Sequence, residues 1–141
     1  MLALIRYFKF NATQFFFKGP RVYNWISGLK FYAEKGDAGL VANIYYKLFD
    51  YEESMFLLSR LQPGDLFVDV GANLGHFSML AAGISKARVL AIEPIPSTFE
   101  KLERNIALNK LGHLVSCINK GLGEKQGTLR FLTDRTVMNR V

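Results

Sequence analysis

A single cysteine, Cys117, stands in a chain of 141 residues. One thiol excludes an intramolecular disulfide framework and any cysteine-rich zinc site. The two histidines, His76 and His113, lack metal-ligand spacing with each other or with clustered acids, so no metal is expected. Four prolines and 12 glycines exclude collagen-like or linker composition. Long uncharged apolar runs are also missing. The longest stretch without a formal charge, Val70 to Ser85, carries Gly71, Asn73, Gly75 and His76, so it is not a membrane span. At the amino terminus Arg6 and Lys9 interrupt the apolar run, and no small-residue cleavage site follows, which argues against a secretory signal.

Half of the residues are apolar and 21% are charged, which excludes a disordered chain and fits one domain. The net charge of +6 is uneven: residues 1–35 hold six basic residues and one acid, giving +5. The same segment holds ten of the 19 aromatics, including Phe15, Phe16 and Phe17. An amino-terminal helical layer, with aromatics buried and Lys/Arg snorkelling outward, accounts for this pattern. Weak contact of residues 1–35 with an anionic membrane surface is the alternative. A nucleic-acid partner is not expected, because the rest of the chain is nearly neutral. The compartment expected is the cytoplasm, with a membrane-peripheral position as the variant.

From residue 40 to 61 the pattern predicts helix, interrupted near Phe49–Tyr51, with Met55, Leu58 and Leu61 on one apolar face. Pro63-Gly64-Asp65 ends it as a turn. Leu66 to Val70 reads as a strand covered on both faces. Gly71 to Gly75 form a glycine loop, and Leu74, Phe77, Ala81 and Ile84 recur at helical spacing. The unit then repeats. Arg88 to Glu93 is a second strand, and Ser97 with Glu100 forms a capping-box signature. Phe99, Leu102 and Ile106 are the stripe of a helix ending near Lys110 to Gly112. Leu114 to Asn119 is a third strand, with Cys117 a buried small hydrophobe. Glu124 to Gly127 is a turn before a short antiparallel strand over 128–132. Strands alternating with helices predict an α/β fold with a parallel sheet and right-handed crossovers.

A strand running into a glycine loop and a helix presents free N–H groups and the positive end of a helix dipole. Gly71 and Gly75 allow close backbone approach, and Asn73 tolerates left-handed angles. Asp69 and Glu93 are carboxylates at the carboxyl ends of neighbouring strands, where open α/β sheets bind ligands. Glu93 suits a ribose diol. The spacing lacks the middle glycine of a dinucleotide fingerprint, and Asp69 would repel a pyrophosphate. A ligand with one carboxylate, one amine and one adenosine fits better, so S-adenosylmethionine is favoured over NAD.

The run Pro63 to Ser78, with Asp69-Val70-Gly71-Ala72-Asn73-Leu74-Gly75 at its centre, resembles the opening motif of the FkbM family of S-adenosylmethionine-dependent methyltransferases. Ala91-Ile92-Glu93-Pro94-Ile95-Pro96, with Phe99, Leu102, Asn105 and Leu108-Asn109, resembles that family's second strand and helix. The resemblance runs from about residue 50 to about 132. It implies a class I methyltransferase, Rossmann-like sheet, of which this chain holds strands one to three plus the short extra strand, after an amino-terminal helical segment. Residues 1–40 would be that basic, aromatic segment, and 41–141 the cofactor-binding domain, incomplete at its carboxyl end.

Carried over by residue, the resemblance implies that Asp69 orients the methionine end of the cofactor. Gly71, Ala72, Asn73 and Gly75 would shape the loop around it, and Glu93 would hold the ribose hydroxyls. Pro94 and Ile95 would lie beside the adenine, with Asn119 or Lys120 edging the base. The implied reaction is O-methylation of a small-molecule hydroxyl acceptor, a sugar, polyketide or similar metabolite. The catalytic base is unassigned: His76 is a candidate, although packing against its own loop is the simpler reading. The family's later acidic motif is absent, so the chain is expected to be the front half of a longer protein, inert and poorly soluble alone. Two alternatives stand. Asn105 to Leu111 also resembles transfer-RNA guanine methyltransferases, whose loop usually carries Phe-Ala-Gly instead. The other is a non-catalytic, truncated cofactor-binding remnant or a peripheral membrane module.

Overall fold

Gly64, at φ 95°, turns the chain out of one helix and into the first strand of the main sheet, and the Asp65 side chain closes that turn by accepting the Gln62 N–H at 2.8 Å. The structure, a computed structural model, describes residues 1–125 and 127. Its elements are α1 (Leu2–Phe16), β1 (Arg21–Asn24), a 3-10 turn (Ile26–Gly28), β2 (Lys30–Ala33), α2 (Ala38–Tyr46), α3 (Tyr51–Arg60), β3 (Leu66–Val70), α4 (His76–Gly83), β4 (Arg88–Ile92), α5 (Pro96–Leu108) and β5 (Val115–Ile118).

The strands β3, β4 and β5 form a parallel sheet in that spatial order, with Asp69 opposite Ala91 and Ala91 opposite Cys117. Successive parallel neighbours need a crossover, and α4 and α5 provide the two. The expected α/β architecture is therefore present, as is the break between α2 and α3, where Lys47 and Asp50 take positive φ. The extra strand expected over 128–132 lies outside the described residues.

Several local expectations are corrected. Among the described residues β3 is not covered on both faces: Leu66, Val68 and Val70 are exposed, while the alternate residue Asp69 is buried. Among the described residues the sheet has one covered face, built by Val89, Ala91 and Val115 together with Leu80, Leu102 and Ile106 of α4 and α5. Met79 is fully buried, but Met55, expected on the apolar face, is 43% exposed because α3 turns Ser54, Leu57 and Leu58 inward. The capping box does not form. Ile95 is the N-cap residue of α5 without a side-chain bond, and Pro96 takes the first helical position, where its fixed φ suits it. Cys117 is half-buried rather than buried, and burial pushes its thiol up to about 11. His113 is exposed in the loop before β5, with Nδ1 3.0 Å from the Lys110 carbonyl.

The amino-terminal segment is helical only over α1. Residues 21–33 form an antiparallel hairpin, Val22 opposite Tyr32 and Tyr23 opposite Phe31. Val22-Tyr23 and Phe31-Tyr32 supply β-branched and aromatic residues that favour that geometry, and the turn between the strands passes through Ser27 and Gly28 at positive φ. Nor are the α1 aromatics buried as a group. Phe10 packs against Tyr23 and Tyr45, with ring centroids 5.7 and 5.9 Å away, while Phe8, Phe15 and Phe16 are exposed. No described helix is long and apolar enough to cross a membrane.

The hairpin docks on α5 through two asparagines. Asn109 accepts the Lys30 N–H at 2.8 Å and donates to the Lys30 carbonyl at 2.7 Å, as a neighbouring strand would. Asn105 accepts the Tyr32 N–H at 2.7 Å. One hydrophobic cluster consequently runs from Phe10, Trp25 and Phe31 through Leu40 to Met79 and Leu102.

Candidate functional site

At the end of β3 the N–H groups of Gly71 and Ala72 both donate to the Ile92 carbonyl, at 2.8 and 3.0 Å, so the loop springs from the β3–β4 pairing. Gly71, Asn73 and Gly75 have φ of 76°, 50° and 93°, the left-handed region that glycine and asparagine tolerate. The two glycines answer different demands. A Cβ on Gly75 would lie 2.8 Å from Leu102 Cδ1, so this glycine lets the loop settle on α5. A Cβ on Gly71 would meet no atom within 4 Å, so the space in front of it is open to a ligand.

Both strand-end carboxylates lie beside this loop. Glu93, 5% exposed, accepts the Asn73 N–H on Oε2 at 2.9 Å and the Ile95 N–H on Oε1 at 3.0 Å. It thereby fixes the loop and the start of α5 at once, and each oxygen keeps a further lone pair. Asp69, 7% exposed, accepts the Ser78 hydroxyl at 2.6 Å. Burial holds its carboxyl above the usual range, the bonds from Ser78 oppose that shift, and the Glu93 charge adds to it. Among the described residues neither carboxylate has a salt-bridge partner. Two buried carboxylates, hydrogen-bonded but without a cationic partner among the described residues, beside open space suit a ligand that carries positive charge.

The remaining residues singled out from the sequence gather at the same end of the sheet. Asn119 donates from Nδ2 to the Glu93 carbonyl at 2.7 Å, and Lys120 follows it in the chain with its side chain exposed. Pro94 is half-buried and Ile95 is 7% exposed, so Ile95 offers a ligand little side-chain surface. Ala72 is buried beneath the loop. No group of three or more His, Cys, Asp or Glu is gathered among the described residues.

His76 packs not on its own loop but in a polar network beneath it. Asn43 Oδ1 accepts the Phe49 N–H at 2.8 Å, so its Nδ2 faces His76 Nδ1 at 3.0 Å as the donor. That leaves the ring proton on Nε2, which donates to Ser54 Oγ at 3.0 Å. The ring also stacks at a tilt on Trp25, 5.2 Å between centroids. Burial depresses its pKa to about 4, so the imidazole is neutral at physiological pH. It joins α4 to the break between α2 and α3. The residues that sequence reasoning missed are of this kind: Asn43, Ser54, Ser78 and Asn105 are buried polar side chains. The only linear signal was the asparagine spacing within Asn105 to Asn109.

Comparison with known proteins places this geometry in a family. The sequence model of the TRM5/TYW2 methyltransferase domain matches residues 32–141. A tRNA(Phe) (4-demethylwyosine(37)-C(7)) aminocarboxypropyltransferase of Pyrococcus horikoshii is 38% identical over 79 residues, covering 56% of this chain and 28% of that protein. A tRNA (guanine(37)-N(1))-methyltransferase of Puccinia graminis is 39% identical over 70 residues, covering 50% of this chain and 14% of that protein. The crystal structure of P. horikoshii TYW2 in complex with MeSAdo superposes with a TM-score of 0.56 at 30% identity, over 72% of this chain and 36% of that one. The chain thus spans about a third or less of the length of these relatives.

These findings correct two expectations. The FkbM assignment gives way to the family whose model matches. The small-molecule hydroxyl acceptor, with nucleic acid set aside, gives way because the matching family model is that of TRM5/TYW2 and two of the relatives carry tRNA in their names. The physical reason is that the glycine loop and the two carboxylates report on the donor side only. The chain belongs to the TRM5/TYW2 methyltransferase family.

Proposed function

We propose that this member of the TRM5/TYW2 family binds S-adenosylmethionine at the 71–75 loop and serves the methylation of a guanine at position 37 of tRNA. The observation that carries the donor half is the pair of buried carboxylates, Asp69 and Glu93, without salt-bridge partners among the described residues beside an open glycine loop. The acceptor half rests on family membership and on the relatives named for position 37.

When bound, S-adenosylmethionine supplies an electrophilic methyl on a sulfonium centre. The chain's own residues bind and orient. The Asp69 carboxylate would hold the donor's ammonium, whose positive charge would offset the upward shift that burial gives its pKa. Glu93 uses its remaining lone pairs for the ribose hydroxyls, while the Asn73 and Ile95 N–H groups hold it in place. Gly71 leaves the approach clear, and Asn119, held on the Glu93 carbonyl, would edge the base. Fixing the donor in this way lowers the entropic cost of reaching an in-line geometry with the acceptor.

The test is calorimetric titration of the protein with S-adenosylmethionine and, separately, NAD, with Glu93→Gln and Asp69→Asn alongside. Donor binding that weakens at least tenfold in both variants is expected. Binding of NAD instead overturns the donor assignment. Mass analysis of digested tRNA after incubation with the donor then reads the acceptor. A methyl increment on the nucleoside at position 37 is expected; an aminocarboxypropyl increment, or none on tRNA, overturns the proposed transfer.

A further inference from the structure

Away from the glycine loop, a cleft of about 230 Å³ opens between α1, β1 and the end of α2, and its lining includes Arg6, Lys9, Thr13, Tyr23, Asn24 and Lys47. We infer that this cleft is a binding groove for the phosphodiester backbone of RNA, outside the donor site; the inference rests on the tRNA reading above.

The charge is one-sided. Three cations from two helical elements converge on the cleft, and no acidic residue lines it. Among the described residues none of the three has a salt bridge; the bridges present join Lys101 to Glu34 and Asp37. Like charges held around one small space repel one another, and an anion between them relieves that repulsion.

One of the cations is also fixed in place, and the backbone that carries another is held. The Arg6 guanidinium donates through Nη1 to the Tyr45 carbonyl at 3.1 Å, which anchors the group and leaves its other N–H donors for a ligand. Lys47 sits at φ 70° and ψ −51°, an unfavourable conformation for a residue with a Cβ. It is held there from both sides: its N–H donates to the Asn43 carbonyl at 2.9 Å, and its carbonyl accepts the Trp25 indole N–H. Thr13 is not a donor to the groove, because its hydroxyl donates to the Lys9 carbonyl at 2.7 Å. The charged donors offered are the cations, with the Asn24 amide and the Tyr23 hydroxyl beside them, a set that suits a phosphate.

The open cleft holds roughly seven or eight waters' volume at ~30 Å³ each, room for a hydrated phosphodiester. Phosphate contact of this kind positions RNA without reading its sequence. Arg6, Lys9 and Asn24 lie before residue 32, where the family match begins, so the groove adds to the family domain a contact made by the segment of net charge +5.

The experiment compares binding of tRNA to the protein and to the triple variant Arg6→Gln/Lys9→Gln/Lys47→Gln across a salt series. The triple variant is expected to bind tRNA at least tenfold more weakly at low salt, and to lower the slope of log affinity against log salt by about two to three. Titration with S-adenosylmethionine is expected to be unchanged. Lys47→Gly serves as the second variant: it removes one cation and relieves the backbone conformation, so stability holds or rises while tRNA affinity falls. Unchanged tRNA affinity and slope in both variants overturn the groove and leave the position-37 reading standing. A triple variant that loses tRNA binding, in a protein that modifies another position, supports the groove and overturns that reading. A protein that binds no tRNA overturns both. Retention on vesicles of anionic phospholipid, lost in the triple variant while tRNA binding stays intact, assigns the cations to a lipid headgroup and overturns the inference.

Discussion

Asn105 donates from Nδ2 to the Leu74 carbonyl at 2.9 Å, tying the last turn of α5 to the glycine loop. The same side chain accepts the Tyr32 N–H from β2, and it is fully buried. One amide therefore holds the amino-terminal hairpin and the loop in a single register. Replacing it with alanine leaves a buried carbonyl and a strand N–H without partners, each costing about 1–3 kcal/mol. Asn105→Ala is expected to lower stability by about 2–4 kcal/mol in urea titration and to weaken donor binding. A loss under about 0.5 kcal/mol would show that water replaces the amide at no cost.

The two loop glycines separate stability from binding. Gly75→Ala meets Leu102 Cδ1 at 2.8 Å and also enforces φ 93° on a residue with a Cβ, so a loss of about 2–4 kcal/mol is expected. Gly71→Ala meets open space and carries only the backbone cost of about 1–2 kcal/mol, yet its methyl projects where a ligand would approach. Thermal melts with and without S-adenosylmethionine check this: the ligand-induced shift should shrink more in Gly71→Ala than in Gly75→Ala.

The buried imidazole makes stability depend on acid. His76 has a folded pKa of about 4 against 6.5 for the exposed ring, so as pH falls the unfolded chain takes up the proton first. Stability is full above pH 6.5 and is lost on descending toward pH 4, by about 3 kcal/mol in total. Urea midpoints measured across this range should flatten in His76→Gln. A wild-type midpoint that does not move between these pH values would contradict the neutral, buried ring.

Ser78 tunes the donor site through Asp69. Its hydroxyl lowers a carboxyl that burial raises, so Ser78→Ala is expected to push the Asp69 pKa higher still. A protonated Asp69 no longer attracts an ammonium, so donor affinity falls as pH drops through that pKa. The fall should come at a higher pH in Ser78→Ala than in the wild type, read by calorimetry across a pH series. Coincident profiles would remove Asp69 from contact with the charged end of the donor.

The alternation of β3, α4, β4, α5 and β5 was legible in the chain. Each element carries its own local signal: a turn at Pro63-Gly64, a short apolar run, an apolar stripe at helical spacing. The donor loop was legible for the same reason, since left-handed backbone at positions 71, 73 and 75 calls for glycine or asparagine. The acceptor class was not, because the loop and the carboxylates face the donor whatever receives the methyl group. Residues 21–33 were misread because the strand pairing of the hairpin is completed by side chains of Asn105 and Asn109, more than 70 positions away. His76 was misplaced for a like reason: its partners Asn43, Ser54 and Trp25 come from segments that only packing brings together. Sequence by itself determined what depends on neighbours along the chain, the order of elements and the conformation of the loop. The tertiary structure decided which buried polar groups meet and which cations share a cleft, because hydrogen bonds and charges act across space.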